Sequence, residues 1–110
     1  MKITDIIKGL NLKVISGQNG LSNEITGGYV SDLLSDVMGN AKEGQVWITL
    51  QTHQNIIAVG SLKDIAAIII VKGFTPEADT IEKSNIENIP VLSTELDTFT
   101  IAGKLYDLLR

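Results

Sequence analysis

A chain of 110 residues with 13 acids, nine bases, a net charge of −4 and no cysteine fits one domain, residues 1–110, able to bury roughly 65% of the surface an unfolded chain exposes. The missing cysteines exclude a disulfide framework and any thiolate metal site, and they suit a reducing cytoplasm, where the protein is expected to reside. Its basic residues, Lys2, Lys8, Lys13, Lys42, Lys63, Lys72, Lys83, Lys104 and Arg110, form no run, which argues against phosphate-backbone binding and so against a nucleic-acid partner.

Met1 to Lys8 is too broken by charge for a signal peptide, and no apolar run approaches the roughly 20 residues of a membrane span. No membrane partner is expected. Thr4 is placed to cap a first helix running through Leu10, with Ile6, Ile7 and Leu10 on one face. Leu12, Val14 and Ile15 make a first strand, which ends at the turn Ser16-Gly17-Gln18-Asn19-Gly20. The run from Glu24 to Asp32 is strand-like but holds two adjacent glycines, Gly27 and Gly28. They imply a bulge or a close approach by another backbone, or else a cradle of amides for an anion. Ser31 or Asp32 can cap the next helix, which carries Leu33, Leu34, Val37, Met38 and Ala41 at helical spacing and stops at Gly39 or Gly44.

Val46-Trp47-Ile48-Thr49-Leu50 and Ala66 to Val71 are short β-branched runs of the kind found in buried strands. Asn55 to Asp64 between them has the length of a crossover helix, so the unit is βαβ with parallel strands. Thr75-Pro76-Glu77 supplies a hydroxyl cap, a proline and an acid for a helix ending near Asn88, with Ala78, Ile81 and Ser84 or Asn85 facing inward. Ile89-Pro90-Val91-Leu92 is a strand that tolerates proline at its start. Asp97 caps a last helix from about Thr98 to Leu109, whose inward stripe is expected to be Phe99, Ala102, Leu105, Tyr106 and Leu109. This element order predicts an α/β fold of three layers, α/β/α, around a roughly five-stranded, mostly parallel sheet.

In such sheets ligands sit where strands end at their carboxyl side. The loop Gln51-Thr52-His53-Gln54-Asn55 occupies that position and holds the only histidine. Its candidate residues are Gln51, Thr52, His53 and Asn55, converging on a small ligand or a partner subunit; the alternative is a loop histidine whose ring serves nearby backbone groups. Thr26, Gly27 and Gly28 are expected to join them in one candidate site, and Thr75 could add helix-start amides for an anion. No phosphate loop and no G-x-G-x-x-G fingerprint occur. One histidine without cysteine argues against a transition-metal site, no serine lies in a G-x-S-x-G turn, and no cofactor is expected.

The segment Glu24-Ile25-Thr26-Gly27-Gly28, followed by Tyr29 to Met38, resembles the DRTGG domain family. Thr26-Gly27-Gly28 matches the motif, while Glu24-Ile25 stands in place of its Asp-Arg. The string from Trp47 to Val59 looks like that family's second block, and the resemblance covers nearly the whole chain. It implies an architecture similar to the N-terminal domain of HPr kinase/phosphatase, a fold found beside CBS domains in regulatory pyrophosphatases and beside acyltransferase domains in phosphotransacetylases. Chemistry there belongs to the neighbouring domain, so a serine-kinase label would be inherited from the fold neighbour. The resemblance therefore implies a non-catalytic regulatory module, a homodimer that binds a small ligand of the nucleotide or phosphometabolite class or docks a partner enzyme. Ile25, replacing the motif arginine, removes any role that rests on charge there. Two other readings remain open: a small hydrolase or phosphotransferase with His53 as general base, and a structural dimer with its polar loop buried at the interface.

Overall fold

Strands buried on both faces should be apolar without alternation, and the two central strands are so in the computed structural model, which describes residues 1–110. These are β3, Gln45–Thr49, and β4, Ala67–Ile70, within which only Gln45 is not buried. Around them the chain forms α1 (Ile3–Leu10), β1 (Lys13–Ser16), β2 (Gly27–Val30), α2 (Leu34–Asn40), α3 (Asn55–Leu62), α4 (Ala78–Glu87), β5 (Val91–Ser93) and α5 (Thr98–Leu109). A single 3-10 turn at Gln18–Gly20 follows β1. The five strands lie in the order β1-β5-β4-β3-β2, parallel throughout except for β1, which runs antiparallel to β5. The expected α/β fold with a mostly parallel sheet is the one observed.

Alternation along β3 and β4 divides the core. Val46, Ile48 and Ile69 pack on one face with Ile3 and Ile6 of α1 and Ile101 and Leu105 of α5. Trp47, Ile68 and Ile70 pack on the other with Val37 of α2 and Ile56 and Ile57 of α3. From β2 to β5 the chain steps across the sheet in one direction, and right-handed crossovers then leave α2, α3 and α4 on the same face. Along α4 the buried contacts are polar. The Ser84 hydroxyl donates to the Ile89 carbonyl at 2.9 Å and meets the Ser16 hydroxyl at 2.7 Å. No helix is long and apolar enough to cross a membrane.

Several local expectations are corrected. Thr4 lies inside α1, and the helix start is fixed by the Asp5 carboxylate accepting the Lys2 amide at 2.8 Å. Gly27 and Gly28 hold regular register with Gln45 and Val46; the sheet irregularity falls instead between Val14 and Ser16. Neither Thr75 nor Pro76 starts α4, because Glu77 is itself still extended and the helix begins at Ala78. Inside α4 the buried side chains are Thr80 and Ser84, while Ala78 is exposed. On α5 the buried pair is Ile101 and Leu105, and Phe99 and Tyr106 face outward. The Asp97 cap is as expected, its carboxylate accepting the Thr100 amide at 2.8 Å.

Candidate functional site

Four parallel strands bring their carboxyl ends to one edge of the sheet, where the connecting loops bind one another. Asp32, just past β2, accepts the Leu50 amide at 2.7 Å and the Thr49 hydroxyl at 2.9 Å. Gln51 returns its carboxamide to the Asp32 carbonyl at 2.9 Å. The indole N–H of buried Trp47 donates to the Ser31 carbonyl at 2.7 Å. One residue on, the Thr52 carbonyl accepts both the Glu77 amide at 3.1 Å and the Thr80 hydroxyl at 2.7 Å. The loops after β2, β3 and β4 are therefore one hydrogen-bonded unit.

Within this edge, His53 uses Nδ1 to accept the amide of Asn55, the first residue of α3, at 3.1 Å. Its ring thus serves the helix start, and the neutral tautomer with Nε2 protonated is the one that fits. His53, Asn55 and Thr75 are exposed, and Gln51 and Thr52 are half-buried. Together they present hydroxyl, carboxamide and imidazole groups on a surface held by the backbone bonds beneath it.

Thr26, Gly27 and Gly28 lie at the other end of the same strands, since Gly27 pairs with Gln45 where β3 begins. The eight candidate residues thus form two groups, Gln51, Thr52, His53, Asn55 and Thr75 at the carboxyl edge and Thr26, Gly27 and Gly28 at the amino edge. The Thr26 hydroxyl donates to the Glu43 carbonyl at 2.8 Å and its amide to the Gly44 carbonyl at 2.9 Å. A side chain on Gly44, which has φ +80°, would run into Thr26. Gly28 lies beneath α5, where a Cβ would come within 3.3 Å of the Leu105 Cδ2. Ile25, at the motif-arginine position, packs against the core.

The cavities follow the strand order. A crevice opens at the carboxyl edge where strand order reverses, and β2-β3-β4-β5 has no reversal. Five cavities at the surface are lined by none of Gln51, Thr52, His53 and Asn55. A cavity of about 800 Å³ at the amino edge includes Thr26, but its charged groups Glu24, Glu43, Asp64 and Glu87 have the wrong sign for an anion. A groove of about 530 Å³ between β2 and α5 is lined by Gly27, Gly28, Val30, Ile48 and Leu105 among others, and is mainly apolar. No group of three His, Cys, Asp or Glu side chains could hold a metal ion.

Beside the carboxyl edge, the Tyr29 hydroxyl donates to the Asp36 carboxylate at 2.9 Å. The Ser31 hydroxyl, then the Tyr29 phenol, hold the Asp36 carboxyl below its ordinary range, and the bond to Asp36 raises the Tyr29 phenol. The sequence offered Asp32 as a helix cap, which missed its part in this edge. A Ser-Asp pair directly after a strand was the available signal.

A family model described as DRTGG domain matches residues 5–108. No curated protein matches the chain. Among solved structures the fold is similar to the CBS and DRTGG domains of the regulatory region of Clostridium perfringens pyrophosphatase, complexed with its activator, diadenosine tetraphosphate. The TM-score is 0.72 at 21% identity, over 96% of this chain and 45% of that one. This chain thus spans less than half the length of that neighbour.

Proposed function

The chain belongs to the DRTGG domain family, and from that premise we propose that it is a non-catalytic regulatory module of the cytoplasm. It acts by association, as a homodimer that binds a small ligand of the nucleotide or phosphometabolite class or docks a partner enzyme. The observation that carries this reading is the cross-tied carboxyl edge. There Asp32, Gln51 and the Thr52 carbonyl bind neighbouring loops, and Asn55, Thr75 and the remaining face of His53 lie outward. Such a surface presents donors and acceptors at fixed positions without reorganising, which suits recognition. His53 Nδ1 is committed to the Asn55 amide, so that nitrogen is not poised as a proton acceptor for a substrate. The fold neighbour, a regulatory region bound to a nucleotide activator, supports the ligand class.

The test uses Trp47, the only tryptophan, whose ring is bonded to this edge. Nucleotides and phosphorylated metabolites are titrated while Trp47 emission and the melting temperature are followed, with calorimetry to confirm stoichiometry. A saturable response that His53→Ala/Asn55→Ala weakens supports a ligand at the carboxyl edge. A flat response across the panel removes the ligand and leaves partner docking, to be sought by co-purification from native extract.

A further inference from the structure

Helix α5 turns an aromatic face outward that nothing in the protomer covers. Phe99 is 88% exposed and Tyr106 72%, and they lie about one turn to either side of Gly103. A Cβ on Gly103 would meet nothing within 4 Å. Glycine inside a helix is less stable than alanine, and the protomer supplies no steric reason for it here. A second backbone approaching closely would supply one. Next to this face lies the groove between α5 and the sheet-edge strand β2, where Val30 is 49% exposed and Tyr106 and Leu109 form part of the lining.

We propose that two copies of the chain meet on this face, α5 against α5 about a two-fold axis near Gly103; this surface assignment rests on the homodimer reading above. A two-fold interface must be self-complementary, each patch carrying both projection and recess, and this one does. Antiparallel helices crossing at Gly103 bring Phe99 of one copy level with Asp107 of the other, beside Tyr106 and Leu109 at the groove. The rim carries both signs of charge, Lys104 and Arg110 against Asp107, with Arg110 paired to Asp107 at 3.0 Å. A mixed rim suits a second copy better than a strongly acidic or basic partner. Phe99 and Tyr106 together contribute roughly 300–400 Å² to each side. Two such patches supply roughly 600–800 Å², and the groove wall and the β2 edge extend the contact toward the size of a specific interface.

Sedimentation and light scattering across a concentration series first establish whether the protein is a dimer. The dissociation constant is then expected to rise at least tenfold in Phe99→Asp and in Gly103→Gln, each with an unchanged far-ultraviolet spectrum. The chain has no cysteine, so Gly103→Cys alone should oxidise to a disulfide-linked dimer, while Ala58→Cys, on an exposed position of α3, should not. A dimer that keeps wild-type affinity in both substitutions and gives no cross-link at position 103 overturns this surface and leaves the homodimer reading intact. A wild-type protein that stays monomeric throughout overturns both.

Discussion

The carboxylate of Asp32 accepts the Leu50 amide at 2.7 Å, joining the segment after β2 to the segment after β3. The same carboxylate takes the Thr49 hydroxyl, so one side chain sets the spacing of two loops. Asp32→Ala should lower stability by about 1–2 kcal/mol, the scale of a lost charge-assisted bond in part-exposed surroundings. It should also change Trp47 emission, because the indole is bonded to neighbouring Ser31. Chemical denaturation followed by Trp47 fluorescence reads both; an unshifted midpoint with unchanged emission contradicts the role given to Asp32.

Two glycines, Gly17 and Gly28, should respond differently to alanine. Gly17 has φ +73° and a Cβ there would run into the Ile89 carbonyl oxygen, a backbone atom that cannot move aside cheaply. Gly17→Ala should cost at least about 2 kcal/mol. At Gly28 the obstacle is a side-chain methyl of Leu105 at 3.3 Å, so Gly28→Ala should cost under about 1 kcal/mol. Thermal unfolding of the two variants side by side decides the order.

The buried Ser16 and Ser84 hydroxyls act as a chain. Ser84 gives its only hydroxyl proton to the Ile89 carbonyl, so Ser16 must be the donor in the 2.7 Å contact. Ser84→Ala leaves Ser16 and Ile89 both short of a partner and should cost about 1–3 kcal/mol. The double variant Ser16→Ala/Ser84→Ala should be less destabilised than the sum of the single changes. Additive values from denaturant midpoints would show that the two hydroxyls are not coupled.

His53 should behave as a structural end-group of α3. His53→Ala removes the acceptor for the Asn55 amide and should cost about 0.5–1 kcal/mol, as lost helix caps do. His53→Asn should restore part of that stability, since a carboxamide oxygen can accept the same amide. Hydrogen exchange at Asn55 reports the bond directly, and equal exchange rates in wild type and His53→Ala would contradict it.

Asp36 and Tyr29 set opposite ends of a pH window. The folded Asp36 carboxyl titrates lower than in the unfolded chain, so its contribution is present above the ordinary carboxylate value of about 4 and is lost as pH falls through its lowered value. The Tyr29 phenol titrates higher, so its contribution is complete below the ordinary value of about 10 and is lost as pH rises through its raised one. Carbon NMR titration of Asp36 should show its midpoint rising toward the ordinary value in both Ser31→Ala and Tyr29→Phe.

Most of the architecture was legible because β3 and β4 are short β-branched runs that only a doubly covered sheet accommodates. Asp97 was legible because its cap is local in sequence. The α5 face was not. Phe99, Ala102, Leu105 and Tyr106 make a helical stripe as good as that of Ile101 and Leu105, and the choice between them is made by β3 and α1, which no local pattern contains. Thr75-Pro76-Glu77 misled for a related reason: the Glu77 amide is held by the Thr52 carbonyl, which keeps the chain extended past the proline. Thr26, Gly27 and Gly28 were joined to Gln51, Thr52, His53 and Asn55 in one site because β2 and β3 follow each other in sequence. Parallel pairing puts the start of one beside the start of the other, which sends Thr26 and His53 to opposite ends.

The antiparallel seat of β1 against β5 has a consequence for biosynthesis. Lys13 pairs with Ser93 and Val14 with Leu92, so β1 has no strand to pair with until β5, the last strand of the domain, has been made. Its neighbour α1 packs on β3 and β4 as well as on Ile101 and Leu105, and its burial is completed only when α5 docks. Closure of the sheet is therefore a late step in folding, since the first strand waits for the fifth.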